Sequence, residues 1–161
     1  MRPRYSSWTI GSICAALAVS AVAQADSDPP QQIPDYYAGL GARGLKGDHL
    51  AGVVGAKIKL MDFENLTFST RPALLFGAYD GEWCLPFTID GRLNSHGFGW
   101  FGGVGIAHGM DGLGETDGMV TGGIDLPFKQ RWVLNVTINY LWQHAIDDVD
   151  GELLVSINRG F

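Results

Sequence analysis

Leu153-Leu154-Val155-Ser156-Ile157-Asn158-Arg159-Gly160-Phe161 closes this chain, and it reads by twos. Leu153, Val155 and Ile157 fall on one face, Leu154, Ser156 and Asn158 on the other. A period of two is the mark of a strand with unlike sides, because successive side chains point to opposite faces. The same grammar is clearest over 131–143. One face there carries Trp132, Leu134, Val136, Ile138, Tyr140 and Trp142; the other carries Val133, Asn135, Thr137, Asn139, Leu141 and Gln143. Aromatic residues stand at both ends of the apolar face. Taken at ~3.3 Å per residue and a tilt of ~40°, the stretch from Trp132 to Trp142 covers roughly 28 Å, the thickness of a hydrocarbon core.

Seven further alternating segments are separated by Gly/Asp/Asn-rich breaks. Segment 36–44 turns Tyr36, Ala38, Leu40 and Ala42 outward. Segment 50–61 turns Val54, Ala56, Ile58 and Leu60 outward and Lys57 and Lys59 inward. Segment 66–79 has Phe68, Leu74 and Phe76 outward and Arg71 inward. Segment 82–92 has Trp83, Leu85, Phe87 and Ile89 outward, over Glu82, Cys84, Pro86, Thr88, Asp90 and Arg92. Segment 98–109 places Phe98, Trp100, Val104 and Ile106 over an inner row of glycines. Segment 116–128 places Val120, Ile124, Leu126 and Phe128 outward and Asp125 inward, and 151–161 completes the set.

Period alone does not say which face is outside. A soluble eight-stranded barrel of the lipocalin kind would turn its apolar face inward around a ligand. Three features decide for lipid: aromatic residues at strand ends, a polar face that mixes charge with glycine, and the final phenylalanine. The expected fold is all-β, an eight-stranded antiparallel up-and-down transmembrane β-barrel over 36–161. Turns are expected at 62–65, 91–97 and 129–130, on the side of both termini. Short acidic loops are expected at 45–49, 80–81, 110–115 and 144–150 on the other side. Tyr36, Trp83, Trp100, Trp132, Tyr140 and Trp142 are the expected membrane-interface aromatics. Pro72 and Pro86 each remove a ladder donor and are expected to mark a bulge or a strand end. Arg159, outward near the end, sits where its stem can snorkel.

Residues 1–25 read as a secretory signal peptide. Arg2 and Arg4 precede the apolar run 10–23, and Ala23-Gln24-Ala25 gives a small-x-small cleavage site. That run is too short to span a bilayer, and Gly11-Ser12-Ile13 before Cys14 is a poor lipoprotein box. Residues 26–35 then form a short linker. Loss of Arg2 and Arg4 makes the chain more acidic still than its formal net charge of −6. This disfavours nucleic acid as a partner, since basic patches dominate that affinity. Cys84 is left without a second cysteine, so no disulfide framework is expected.

The opening Tyr36-Tyr37-Ala38-Gly39-Leu40-Gly41, the strand-by-strand alternation and the ending 153–161 resemble the small eight-stranded outer-membrane barrels: the OmpA transmembrane domain, OmpX and the opacity proteins. The resemblance covers the whole of 36–161 and is one of pattern. It implies a porin-like cell-envelope protein of a Gram-negative outer membrane, a monomer among lipid and lipopolysaccharide. It also implies periplasmic chaperones and insertion by the barrel-assembly machinery, with Phe161 as the assembly signal. Arg159 departs from the usual apolar or aromatic position in that signal.

Eight strands enclose an interior only wide enough for side chains. The inward charges are Arg43, Lys57, Lys59, Arg71 and Arg92 against Glu82, Asp90, Asp125 and Glu152. In a narrow, poorly hydrated lumen they must pair. One reading is a salt-bridge plug that fixes register; the other is a gated path for ions or small solutes. An enzyme reading rests on lipid A-modifying barrels. Deacylases of the PagL type use a His with a nearby Ser and Glu, and this chain offers His144 and Glu152, but Ile146 stands where the serine is expected. Nor does the rim supply a matching His, Asp and Ser set of the palmitoyltransferase type. Asp147, Asp148 and Asp150 are oxygen ligands in a spacing unlike an EF-hand loop, so they suggest at most a weak cation site. No cofactor is expected. The leading expectation is a plugged barrel with an envelope or surface-interaction role.

Overall fold

The computed structural model describes residues 32–45, 50–77, 81–92, 97–110, 115–143 and 148–161. The segment read as a signal peptide lies outside them, as do loop residues 46–49, 78–80, 93–96, 111–114 and 144–147. Nine β-segments are described: β1 (Tyr36–Leu45), β2 (Leu50–Phe63), β3 (Leu66–Thr70), β4 (Ala73–Phe76), β5 (Gly81–Arg92), β6 (Gly99–Gly109), β7 (Thr116–Lys129), β8 (Trp132–Gln143) and β9 (Asp148–Gly160). All pairings are antiparallel; β3 and β4 each pair with β2 and β5, and β1 pairs with both β2 and β9, so the sheet closes into a ring.

The ring has eight strands, because β3 and β4 are two halves of one. Both lie between β2 and β5, and the register is unchanged across the break between them, the one shift against β2 falling between Lys59 and Met61. The interruption falls at Arg71-Pro72, where the proline brings no N–H to the ladder. The neighbouring groups are still used: Ala56 N–H donates to the Pro72 carbonyl at 3.0 Å and Arg71 N–H to the Pro86 carbonyl at 3.1 Å. Pro86, expected to break its strand, does not. β5 runs unbroken through it and pairs with β6 from Glu82 to Arg92.

The alternation has the sides that the aromatic girdles imply. Leu40, Val54, Ile58, Leu74, Phe87, Val104, Ile106, Ile138 and Ile157 are exposed on the outer face. Lys57, Arg71, Asp90, Asp125, Asn135 and Glu152 are buried inside. Leu126 and Leu134 depart from the pattern: both are only 7% exposed. They are register partners and cover one another. The inward glycines of β6 let the wall curl tightly. A Cβ at Gly103 would meet the Phe87 carbonyl, and one at Gly105 the Leu85 carbonyl.

Several boundaries shift. Arg131, read as the first strand residue, instead shares a turn with Gln130. Asp148 and Asp150 lie in β9 opposite Gln143 and Leu141 rather than in a loop, so the acidic loop there is shorter than expected. Asp62 lies in β2 and the turn is Glu64-Asn65. Glu64 has φ 46° and Arg131 φ 65°, a region where a side chain with a Cβ is strained. Glu64→Gly should therefore raise unfolding stability in lipid by ~0.5–1 kcal/mol. Urea titration of the refolded chain checks this, and an unchanged or lower midpoint would contradict it.

Candidate functional site

The inward rows carry the chemistry of this barrel. Along β5 the row is Glu82, Cys84, Pro86, Thr88, Asp90; along β9 it is Glu152, Leu154, Ser156, Asn158. Each begins with a carboxylate at the loop end, passes an apolar residue, and becomes polar toward the turn end.

The polar half is a network centred on Arg71. Its Nη2 lies 2.9 Å from Asp125 Oδ2 and 3.1 Å from Asp90 Oδ2. Lys57 Nζ lies 2.9 Å from the same Asp90 oxygen. Two cations thus face two carboxylates, which makes the group neutral as a whole. Every carboxylate also accepts neutral donors. Tyr37 OH and Asn135 Nδ2 each donate to Asp125 Oδ1 at 2.8 Å. Ser69 Oγ donates to Asp90 Oδ2 at 2.8 Å, and Thr88 Oγ1 to Asp90 Oδ1 at 2.7 Å. The guanidinium is also flanked by rings, 3.7 Å from the Phe101 centroid and 5.8 Å from that of Tyr37. Phe101 has this place because Gly123 leaves it open; a Cβ at Gly123 would lie 2.6 Å from the ring's Cζ.

The loop-end group is smaller and not neutral. Arg43 Nη1 donates to Glu82 Oε2 at 2.9 Å, and Nη2 pairs with Glu152 Oε1. Cys84 Sγ lies 3.6 Å from Glu82 Oε1. Arg43 Nε, Asn139 Oδ1 and Glu152 Oε2 are buried without a hydrogen-bond partner among the described residues. Between the two groups lie Val53, Leu75, Ala107, Met119, Leu141 and Leu154, packed together with Cys84. An interior cavity of about 50 Å³ among the described residues is bordered by both polar and apolar side chains, among them Tyr37, Arg71, Met119 and Asn139. A space of that size holds a few waters.

Of the nine charges read as interior, Arg43, Lys57, Arg71, Glu82, Asp90, Asp125 and Glu152 come together in these two groups. Two do not. Lys59 is half-buried and turns to the rim, where it pairs with Asp35 at 2.9 Å and Asp62 at 2.7 Å. Arg92 is exposed at the end of β5 and pairs with no carboxylate among the described residues. Glu152, the weak catalytic candidate, is spent on Arg43. His144 and Asp147 lie outside the described residues, and of Asp148 and Asp150 only the backbone is described. No group of three metal-ligating side chains occurs among the described residues. The apolar layer and the two rings around Arg71 went unread in the sequence. An inward-facing Phe101 or Met119 in an alternating strand was the available signal.

Of the interface aromatics, Tyr36, Trp100, Trp132, Tyr140 and Trp142 are exposed. Trp83 is half-buried, its ring 5.4 Å from His108.

The fold has known counterparts. The outer-membrane protein Ail of Yersinia pestis, in a phospholipid bilayer nanodisc, is similar over 80% of this chain and 99% of its own, at 10% identity and TM-score 0.56. The crystal structure of Ail, the attachment invasion locus protein, gives 12% identity and TM-score 0.54 over 80% of this chain and 98% of its own. Neisserial surface protein A gives 9% identity and TM-score 0.50 over 78% and 96%. No protein-family model and no curated protein matches the chain. The chain has the fold of the small eight-stranded outer-membrane barrels.

The network around Arg71 should dominate stability. Removing one partner of a buried pair costs ~3–5 kcal/mol, because the other charge is left desolvated. Asp125→Ala should lose about that much in urea unfolding. Arg71→Met combined with Asp125→Ala should lose clearly less than the two single losses together, since no unpaired cation then remains on Asp125's side. Additive losses would show that the pair is not coupled.

Proposed function

We propose that this chain is an integral protein of a bacterial outer membrane, with an interior closed to solutes and an envelope-structural or surface-interaction role. One observation carries the reading: the exposed wall is apolar and bounded by aromatic residues, while the buried interior holds the charges. A soluble barrel has the opposite distribution. Closure of the ring adds support, since a sheet in lipid has no water to satisfy an open edge. The printed names of the similar proteins, an attachment invasion locus protein and a surface protein, support a surface role at the level of likeness. Export by the segment 1–25, chaperoning and insertion guided by Phe161 belong to the same reading, with lipid and lipopolysaccharide as surroundings and a monomer as the unit.

The closed interior is supported by the neutral Arg71 network, the apolar layer above it and the small free space between. It favours a scaffold over a channel. A lipid A-modifying role would centre on His144, and Glu152's engagement with Arg43 weighs against its second member.

Two measurements test this. The chain without residues 1–25, refolded in detergent or lipid, should migrate differently before and after boiling, with β-rich circular dichroism that requires amphiphile. Folding in plain buffer without a mobility shift would overturn the lipid-facing reading. In planar bilayers the folded protein should give no porin-like conductance steps; regular steps altered by Asp125→Asn would replace the closed interior with an ion path.

A further inference from the structure

Arg159 is the outward charge that neither the belt nor the interior explains. Its register partner on β8 is Trp132, and Trp132's partner on β7 is Lys129. Register partners point to the same face of a sheet. Lys129, Trp132 and Arg159 therefore form one row across three adjacent strands, all exposed on the outer wall at the turn end. Two strand spacings of ~4.8 Å set the two cations about 10 Å apart at the backbone, with the indole between them.

Lys129 reaches this row by a device. Asp125 and Pro127 are buried inward, so unbroken alternation would turn Lys129 inward too. The register shifts between Pro127 and Lys129, and this brings Lys129 opposite Trp132. Such bulges re-aim side chains. Arg131 adds a third cation in the adjoining turn, and its carbonyl ties that turn to β9 by accepting the Gly160 N–H at 2.7 Å. None of the three cations belongs to an ion pair among the described residues, whereas at the same end Asp35 and Asp62 are both held by Lys59. The β2–β3 hairpin, whose β2 end carries Asp62, lies half-way round the ring from the β7–β8 turn.

We propose that Lys129, Arg131 and Arg159, set around Trp132, bind the phosphate of an anionic phospholipid at the turn-end rim of the barrel. The inference rests on the membrane reading above. Ile157, next along the outward face of β9 and exposed, offers the acyl chains an apolar surface, and an indole between cations suits the boundary between headgroup and chain. Three cations with no ion pair among the described residues complement a phosphate, and they stand at the end opposite the acidic loops, so the preference is for one leaflet.

The test uses the folded protein in vesicles of phosphatidylcholine and phosphatidylglycerol, one or the other brominated. The emission of Trp132 is taken as the difference from Trp132→Phe. Quenching should report about fivefold preference for phosphatidylglycerol over phosphatidylcholine at Trp132. The preference should fall to about one in Lys129→Gln/Arg159→Gln and persist in the charge-conserving Lys129→Arg/Arg159→Lys. Equal quenching by both lipids in the parent, or a preference unchanged in the double Gln variant, overturns the proposal. Sodium phosphate and sodium chloride at matched ionic strength should weaken the preference equally by screening. A selective loss in phosphate overturns the lipid assignment and gives the cations to a soluble phosphate instead. Absence of quenching by either lipid in a folded protein overturns the lipid-facing wall itself, a failure distinct from loss of headgroup preference.

Discussion

Pairing of β1 with β9 as well as β2 is the constraint from which the other features follow. A sheet surrounded by hydrocarbon has no solvent to satisfy an unpaired edge, so it must close. Closure with eight strands demands strong coiling, and strong coiling brings neighbouring backbones against the inner face. That is why β6 presents Gly103 and Gly105 where any Cβ would strike β5. The same closure makes the lumen narrow, and a narrow lumen cannot hydrate the charges placed in it.

The interior answers that dielectric problem twice, in different ways. Near the turn end Lys57 and Arg71 are matched by Asp90 and Asp125, with hydroxyl and amide donors filling the remaining carboxylate positions. Near the loop end one guanidinium holds two carboxylates, and three buried polar atoms have no hydrogen-bond partner among the described residues. The first group is self-sufficient. The second sits closer to the loops, where water can supply what the protein does not. The apolar layer between them separates the two groups.

The wall shows a similar division. Its middle is aliphatic, its edges aromatic, and its turn-end edge carries a row of cations arranged by a bulge and a strained turn residue. Bulge and strain both work against regular pairing. Their joint effect is to place Lys129 and Arg131 beside Trp132 and Arg159, on a surface that the acidic composition of the chain does not suggest.

Much of this was legible in the sequence because a strand's period is fixed by its backbone. Once 131–143 and 153–161 alternate, the two faces of each strand follow, and aromatic residues at both ends of one face identify the solvent it meets. Strand number, inner and outer sides, and seven of the nine interior charges are read this way. What alternation leaves undetermined is height along the barrel and position around it, because both depend on register between strands. Register decided that Lys59 answers rim carboxylates, that Arg92 stays outside the interior pairs, and that Phe101 lies over Gly123 to stack on Arg71. It also placed Lys129 on the outer wall against its own strand's alternation. The period was written into each strand alone; the partnerships arose only when eight of them closed into a ring.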